Sequence, residues 1–233
     1  RYPITVLDKD MGEQQTVAEI SMYVSLPRYY KGTHMSRFVE ILNEHSRRIS
    51  LQSLTEILEE MKKRLDAQSS HMEISFSYFI NKAAPVTRSP GLMEYRCTMK
   101  GTLKERSDLV VVIHVPICTL CPCSKEISDF GAHNQRGEVR LQVRFTKFVW
   151  MEDLIKLVEE SASTDVYSVL KREDEKFVTE RAYNNPMFVE DIVRDIALKL
   201  QSDPNITWFA VEAENFESIH NHNAYAYIEK HKT

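Results

Sequence analysis

The sequence predicts an α+β protein made of two similar halves with antiparallel sheets and paired helices. Segments in which apolar and polar residues alternate come in adjacent pairs, as they do in antiparallel hairpins. Two helix-like segments follow one another between the strand pairs, so strands and helices do not alternate as they would in a doubly wound sheet. The order strand-strand-helix-helix-strand-strand occurs twice along the 233 residues. We therefore expect two tandem ββααββ modules, which we place at residues 1–105 and 106–233.

The first half contains four predicted strands and two predicted helices. A strand opens the chain, and residues 16–26 alternate apolar and polar side chains as a half-buried partner strand does. Residues 34–45 and 51–68 carry apolar residues at helical spacing, and strands follow at 71–80 and 92–103, separated by a loop that contains Pro and Gly. The apolar stripe of the second helix consists of Leu54, Ile57, Leu58, Met61 and Leu65.

The second half repeats this order. Its strands are predicted at 109–117, 138–148, 206–216 and 224–230, and its helices at 152–163 and 185–201. The first of these strands is a β-branched run that is typical of a buried strand, and Pro186 is placed in the first turn of the last helix. The segment 171–186 is dense in charged residues and is predicted to be a solvated loop between helices.

Composition excludes several classes of function. The formal net charge is −4 and no Lys/Arg stripe stands out, so we expect no nucleic-acid partner. No apolar stretch approaches the roughly 20 residues that a membrane span needs, and neither GxGxxG nor a Walker loop is present. The chain opens RYPITV, without Met or a signal-peptide pattern, which indicates a trimmed or disordered start. We expect a cytoplasmic protein that does not bind membranes.

The cysteine-rich stretch CTLCPCSKEISDFGAHNQRG, residues 118–137, is the strongest chemical signal. Cys118, Cys121 and Cys123 follow an apolar strand, and His133 lies in a polar loop further on. A disulfide framework, a structural zinc that recruits Cys97 as a fourth thiolate, and a catalytic metal site remain open. Disulfide scaffolds are typical of short secreted chains, and C-x-x-C-x-C differs from the paired C-x-x-C motifs of zinc ribbons.

Other candidates are spread along the chain. The charged segment 171–186 could supply a carboxylate ligand and phosphate contacts, and Glu190 could accept two parallel hydrogen bonds from the edge of a guanine or pterin. His220 and His222 are candidate ligands or acid/base groups, or else plain surface residues. Near the front, Lys31, His34 and Arg37 lie at a predicted loop-to-helix junction, which is a natural cradle for a triphosphate.

Five stretches together resemble one known family, the type IB GTP cyclohydrolases. They are KGTHMSRF (31–38), CPCSKEIS (121–128), GAHNQRG (131–137), KREDEKFVTERAYNNPMFVED (171–191) and ENFESIHNHNAYAY (214–227). The resemblance runs from about residue 2 to residue 229. It implies the tunnelling fold, in which modules assemble into oligomeric barrels, and a homotetramer with active sites between subunits. It also implies hydrolysis of GTP to 7,8-dihydroneopterin triphosphate and formate, the first step towards folate-type pterins and, in many bacteria, deazapurines.

The resemblance also implies roles for individual residues. Cys121, His133 and Glu175 match the ligands of a divalent metal, with Cys121 essential for catalysis, and His220 matches a histidine of the metal pocket that acts as acid/base or as a further ligand. Glu190 matches the guanine anchor. The remaining substrate contacts that it suggests are Lys31, His34, Arg37, Lys125, Arg136 and Arg181. Glu173 stands where the family commonly has Pro, and the family usually carries more sequence before RYPIT.

These residue types suit the expected chemistry. Opening the imidazole ring of guanine needs hydroxide at C8, and a divalent metal lowers the pKa of water enough to supply it near neutral pH. A mixed set of thiolate, imidazole and carboxylate is compatible with Zn, Mn or Fe(II). A histidine can shuttle the protons, and an anchored base would bring C8 to the metal. The alternatives are a related enzyme such as a deazaguanine nitrile reductase, whose Glu-Ser-Lys cofactor motif is missing here, and a non-catalytic zinc- or pterin-binding protein.

Overall fold

Eight strands form one antiparallel sheet in which every strand neighbours the next one in chain order. The computed structural model describes residues 1–30, 32–45 and 48–232. The elements are β1 (Tyr2–Asp8), β2 (Gly12–Ser25), α1 (Ser36–Glu44), α2 (Leu51–Arg64), β3 (Ser69–Asn81), β4 (Leu92–Leu103), β5 (Ser107–Leu120), α3 (Pro122–Ile127), β6 (Asn134–Phe145), α4 (Met151–Glu159), α5 (Arg172–Asn184), α6 (Val189–Ser202), β7 (Ile206–Phe216) and β8 (Ala224–His231). The predicted fold class, α+β with antiparallel strands, is confirmed.

The chain divides into two units, and the first comprises residues 1–78 and 96–112. Helix α2 begins at a reciprocal cap, because Ser53 N donates to Ser50 Oγ (3.1 Å) and Ser50 N donates to Ser53 Oγ (2.8 Å). The predicted apolar stripe of this helix is buried along its whole length. Burial of such a stripe is the main source of helix stability in a folded protein.

The second unit comprises residues 79–95 and 113–233 and contains the candidate metal ligands that the sequence suggests. Helix α6 packs against β7 and β8 and buries Ile192, Val193, Ile196 and Leu200. Strands β6 and β7 pair over ten residue pairs, from Arg136 with Phe216 to Phe145 with Ile206. Helices and strands of this unit therefore enclose their own apolar core. The division of the chain into modules at residues 105 and 106 stays a prediction.

Two local predictions in the second half were wrong, and one short helix was not predicted. The segment 171–186 is not a loop, because most of it forms helix α5. Residues 122–127, for which no element was predicted, form the short helix α3. Hydrophobic periodicity does not predict helix α5, because this helix buries only Asp174 and Ala182 and has no apolar stripe. Pro186 precedes the last helix, which begins at Val189. Among the described residues, none of the helices combines the length and the apolar composition that a membrane span requires.

Replacing Gly137 by Ala should destabilise the β6–β7 pairing. A Cβ atom at this position would lie 2.7 Å from the backbone oxygen of Glu214 and 2.7 Å from Oδ1 of Asn215. Because the backbone oxygen cannot rotate away, overpacking should lower the free energy of unfolding by about 1–3 kcal/mol. Urea unfolding of the wild type and the variant measures this difference, and equal midpoints and slopes would contradict it.

Candidate functional site

Cys121 and His133 are held together by the backbone at the end of the β5–β6 hairpin. Cys121 caps the N-terminus of α3, and its N–H donates to the carbonyl oxygen of His133 at 3.1 Å. Ser124 closes the loop, since its hydroxyl donates to the carbonyl of Cys121 and accepts from the N–H of His133, each at 3.2 Å. The N–H of Ser124 also donates to Cys121 Sγ, at 3.4 Å. We call this arrangement the Cys121–His133 corner.

The corner is connected to the loop that carries the two later histidines. Nδ1 of His133 lies 3.0 Å from the hydroxyl of Ser218, which belongs to the loop between β7 and β8. In that loop the rings of His220 and His222 stack, with their centroids 5.4 Å apart. Both histidines are exposed. Cys121, His133 and the histidine loop, which are far apart in sequence, therefore meet in one region of the second unit.

The other cysteines are in different environments. All four thiols are free, so the disulfide framework is excluded. Burial raises the pKa of Cys118, and the nearby Arg136 opposes this only in part, so Cys118 stays a thiol near neutral pH. Cys97 is fully buried in β4 and Cys123 is exposed. Within the described residues no three His, Cys, Asp or Glu side chains come together as a metal site, which is contrary to a zinc ion held by four thiolates.

Two neighbouring carboxylates in the first turn of α5 have opposite environments. Glu175 is exposed, and Asp174 is fully buried. Burial by itself raises the pKa of Asp174, but hydrogen bonds from the N–H and hydroxyl of Thr87 and from the N–H groups of Lys171 and Val86 outweigh it, and the pKa lies well below its ordinary value. Asp174 is therefore a fixed anion inside the protein, whereas Glu175 is available to a ligand.

A buried polar network lies next to α5. Glu159 Oε1 accepts hydrogen bonds from Lys82 Nζ and from the hydroxyl of Tyr95, both at 2.7 Å. Lys82 also pairs with Asp165 at 3.2 Å, and Nζ lies 4.6 Å from the ring centroid of Tyr167. Burial, with the charge of Glu159, raises the pKa of Tyr95 well above its ordinary value. Lys82 and Glu159 are paired within this network, whereas Asp165 Oδ1 is buried without a hydrogen-bond partner in the described part of the chain. With its central ion pair buried and closed, the network is better suited to holding the structure than to catalysis.

Tyr167 provides a test of this network at alkaline pH. Burial, followed by the charge of Asp165, raises the pKa of Tyr167 to about 12. A tyrosine in the unfolded chain ionises near pH 10, so between about pH 10 and 12 the unfolded chain has released this proton while the folded protein still holds it. The contribution of the neutral Tyr167 to the free energy of unfolding is therefore lost as the pH rises from about 10 to 12. We expect Tyr167→Phe to lose less stability than the wild type between about pH 9 and 11. Urea unfolding at both pH values measures this, and equal losses would contradict it.

The cationic candidates of the second unit lie on different elements. Lys125 lies in α3, and its Nζ donates to the carbonyl of Tyr183 and lies 4.3 Å from the centroid of the Tyr183 ring. Arg136 is exposed at the start of β6. Arg181 in α5 pairs with Asp165 at 3.5 Å. Lys125 is therefore bound to the end of the helix that carries Arg181.

Glu190 is exposed at the second position of α6. Asp191 provides the cap of this helix by accepting from the N–H of Phe188 at 3.1 Å, so Glu190 is not needed for that role. No hydrogen bond or ion pair of the Glu190 side chain occurs with any residue in the part of the chain that is described. Its carboxylate is thus available to an external donor.

The candidates near the front of the chain belong to the first unit. His34 is exposed before α1, and its carbonyl accepts from the N–H of Arg37 at 3.1 Å. Arg37 is exposed in the first turn of α1, and its Nη1 donates to the carbonyl of Arg64 at 3.0 Å. Lys31 lies outside the described residues. These positions leave the side chains of His34 and Arg37 accessible.

Several structurally important residues were missed by sequence reasoning. Ser124 and Ser218, which tie His133 to the rest of the region, are serines in polar loops and carry no pattern of their own. The density of charged residues in segment 171–186 predicts that Asp174 is solvated like its neighbours, whereas it is fully buried. One signal could have identified it: an acidic or amide side chain at the third position of a helix can accept from the N–H of the capping residue, as Asp174 does from Lys171 at 2.9 Å.

The side chains of this region are compatible with a divalent metal, although no three candidate ligands come together among the described residues. Cysteine and histidine, whose backbones meet here, are both common metal-ligand types. Gln135 Oε1 and Asn215 Oδ1 are buried on neighbouring strands, and neither has a hydrogen-bond partner in the described part of the chain. The region thus has unused polar groups as well as candidate ligands.

Solved structures identify the fold class. The chain is similar to the uricase from Arthrobacter globiformis, with a TM-score of 0.63 and 6% identity over 99% of this chain and 91% of that one. It is also similar to the urate oxidase from Bacillus sp. TB-90, with a TM-score of 0.59 and 8% identity over 100% of this chain and 96% of that one. At such low identity the likeness concerns architecture alone: the chain has the tunnelling fold.

Sequence comparison identifies the family more narrowly. The chain belongs to the family described as type I GTP cyclohydrolase folE2, which matches residues 1–226. It is 62% identical over 234 residues to GTP cyclohydrolase FolE2 of Syntrophobacter fumaroxidans, covering 100% of this chain and 91% of that protein. It is 63% identical over 230 residues to GTP cyclohydrolase FolE2 of Desulfosudis oleivorans, covering 98% and 88%. The family predicted from the motifs is therefore confirmed.

Proposed function

We propose that this protein hydrolyses GTP to 7,8-dihydroneopterin triphosphate and formate, as a metal-dependent GTP cyclohydrolase of the cytoplasm. The main support for this proposal is the Cys121–His133 corner, where the backbones of a cysteine and a histidine meet. Ser218 connects this corner to the loop that carries His220 and His222. The names of the relatives support the same activity. The product would enter the synthesis of folate-type pterins and, in many bacteria, of deazapurines.

Three residues would hold the metal in this proposal: Cys121, His133 and Glu175. His220 would act either as a fourth metal ligand or as an acid/base group. A divalent ion bound there would supply Lewis acidity, which makes water nucleophilic near neutral pH. Zn, Mn and Fe(II) all suit a mixed set of sulfur, nitrogen and oxygen ligands.

The protein itself would orient the substrate and move protons. Glu190 would accept hydrogen bonds from the ring N–H and the exocyclic amine of guanine, which fixes the position of C8. His220 or His222 would protonate the ring nitrogen as the ring opens and take up protons during release of formate. The triphosphate needs several cations, and the candidates are Lys31, His34, Arg37, Lys125, Arg136 and Arg181.

We further propose that the site is completed between subunits of a homotetramer. No three candidate ligands converge within the described part of this chain, so a neighbouring copy would have to bring the remainder. Large apolar side chains surround the corner and are unusually exposed: Phe130 at 100%, Ile127 at 83% and Ile219 at 65%. Exposed apolar residues beside a polar site are typical of a surface that another chain covers.

The decisive experiment is incubation of the purified protein with GTP and one divalent metal at a time. We expect formate and a pterin that becomes fluorescent after oxidation, both abolished by a chelator and restored by added metal. Activity should depend on at least one of Zn, Mn and Fe(II). Absence of formate and pterin with every metal would overturn the proposed function, whereas turnover that survives complete metal removal would overturn the metal site alone.

A further inference from the structure

Asp174 has more hydrogen bonds than a helix cap requires. Its carboxylate is fully buried and accepts from the N–H of Val86 (2.8 Å), the N–H of Thr87 (2.9 Å), the hydroxyl of Thr87 (2.7 Å) and the N–H of Lys171 (2.9 Å). Only the last of these bonds caps α5. The other three attach the first turn of α5 to a segment that is almost ninety positions away in sequence.

That segment, residues 82–91 between β3 and β4, is itself firmly held. The N–H of Lys82 donates to the carbonyl of Gly91 at 2.8 Å, and the N–H of Ala84 donates to the carbonyl of Ser89 at 2.9 Å. The side chain of Lys82 is largely buried and pairs with Glu159 at 2.7 Å and with Asp165 at 3.2 Å. A segment closed by its own backbone bonds and fixed by a buried ion pair can act as a rigid support.

We propose that Asp174 is a positioning residue, which fixes the direction of the adjacent Glu175 by locking the first turn of α5 onto the 82–91 segment. The inference rests on the proposed function, in which Glu175 is a metal ligand. Consecutive helical residues point about 100° apart, so an inward-pointing Asp174 presents Glu175 on another side of the helix. The first turn of a helix frays easily, because its N–H groups lack partners within the helix.

The physical reason for this arrangement is preorganisation. A carboxylate on a fraying turn would lose conformational freedom when it binds a metal, and that loss would weaken binding. If the turn is already fixed by Asp174, Glu175 needs to order only its own side chain. Residues that orient metal ligands typically change metal affinity about 10- to 100-fold when they are substituted.

The test compares Thr87→Val, Thr87→Ser and Asp174→Asn in the assembled, full-length protein. Thr87→Val removes the hydroxyl bond to Asp174, together with the contacts of the same hydroxyl with Ser89, and keeps the cap from Lys171. Thr87→Ser retains the hydroxyl. Thr179→Val, at an exposed position of the same helix, is the matched control. The readouts are the dissociation constant of Mn²⁺ by electron paramagnetic resonance, hydrogen exchange of the first turn of α5, and kcat and KM for GTP.

We expect Asp174→Asn to weaken Mn²⁺ binding about 10- to 100-fold and Thr87→Val by a smaller factor, with faster exchange in the first turn of α5 in both. Thr87→Ser and Thr179→Val should bind as the wild type does. Wild-type Mn²⁺ affinity in both Thr87→Val and Asp174→Asn would overturn the positioning role, even if their melting temperatures fall. A wild type that binds Mn²⁺ but forms no pterin from GTP would overturn the proposed function instead.

Discussion

Replacing Cys121 by alanine should reduce metal-dependent turnover of GTP at least about a hundredfold, with a matching loss of bound metal. Loss of a residue that merely orients a ligand already costs about 10- to 100-fold, so loss of the ligand itself should cost more. The fold should survive, since the backbone bonds of Cys121 to His133 and Ser124 do not involve the sulfur. Metal content by mass spectrometry and the rate of formate release measure the two effects.

Cys123→Ala is the matched control for this experiment. Cys123 is two positions away, exposed and free. The Cys123→Ala variant should therefore keep its bound metal and most of its turnover. Full turnover in Cys121→Ala would contradict the assignment of Cys121 as a ligand of the catalytic metal. Equal losses in both variants would show instead that the whole cysteine cluster takes part.

Replacing Glu190 by glutamine should lower kcat/KM for GTP by about 10²- to 10⁴-fold, because two charge-assisted hydrogen bonds of about 1.5–3 kcal/mol each would be lost or turned into a donor–donor contact. Metal binding should be unchanged, since the proposed ligands lie on other elements. Steady-state kinetics together with Mn²⁺ titration separate these effects.

Glu160→Gln serves as the control for Glu190, since Glu160 is an exposed carboxylate with only a weak pair to Lys156 at 3.8 Å. It should retain wild-type kcat/KM. A Glu190→Gln variant that turns over GTP as the wild type does would remove Glu190 from substrate recognition. A variant that loses metal would assign Glu190 to the metal site rather than to the base.

The elements that the sequence predicted well are those with an apolar period. The stripe of α2 from Leu54 to Leu65 is buried as expected, and the predicted strands at 92–103 and 206–216 have the observed bounds. Helix α5 has no such period. It is anchored by the carboxylate of Asp174 rather than by an apolar face, and hydrophobic periodicity cannot detect a helix that is stabilised in this way.

The candidate site was predictable in its residue types and not in its geometry. Motif resemblance singled out Cys121 and His133, and the structure brings their backbones together. The hydrogen bond between His133 and Ser218 forms because β6 and β7 are neighbouring strands. No local sequence pattern shows which strands will be neighbours. The ligand role of Glu175 stays a prediction, because no three candidate ligands come together among the residues that the structure describes.

The order of the strands has a consequence for folding kinetics. Strands β7 and β8 are joined by a short loop, so their hairpin needs little loop-closure entropy. Strands β6 and β7 pair over more residues, but residues 146–205 lie between them and contain three helices. Contacts of large sequence separation form slowly. We therefore expect the β6–β7 ladder to form late, so that the histidine loop reaches Cys121 and His133 only after the surrounding helices have docked.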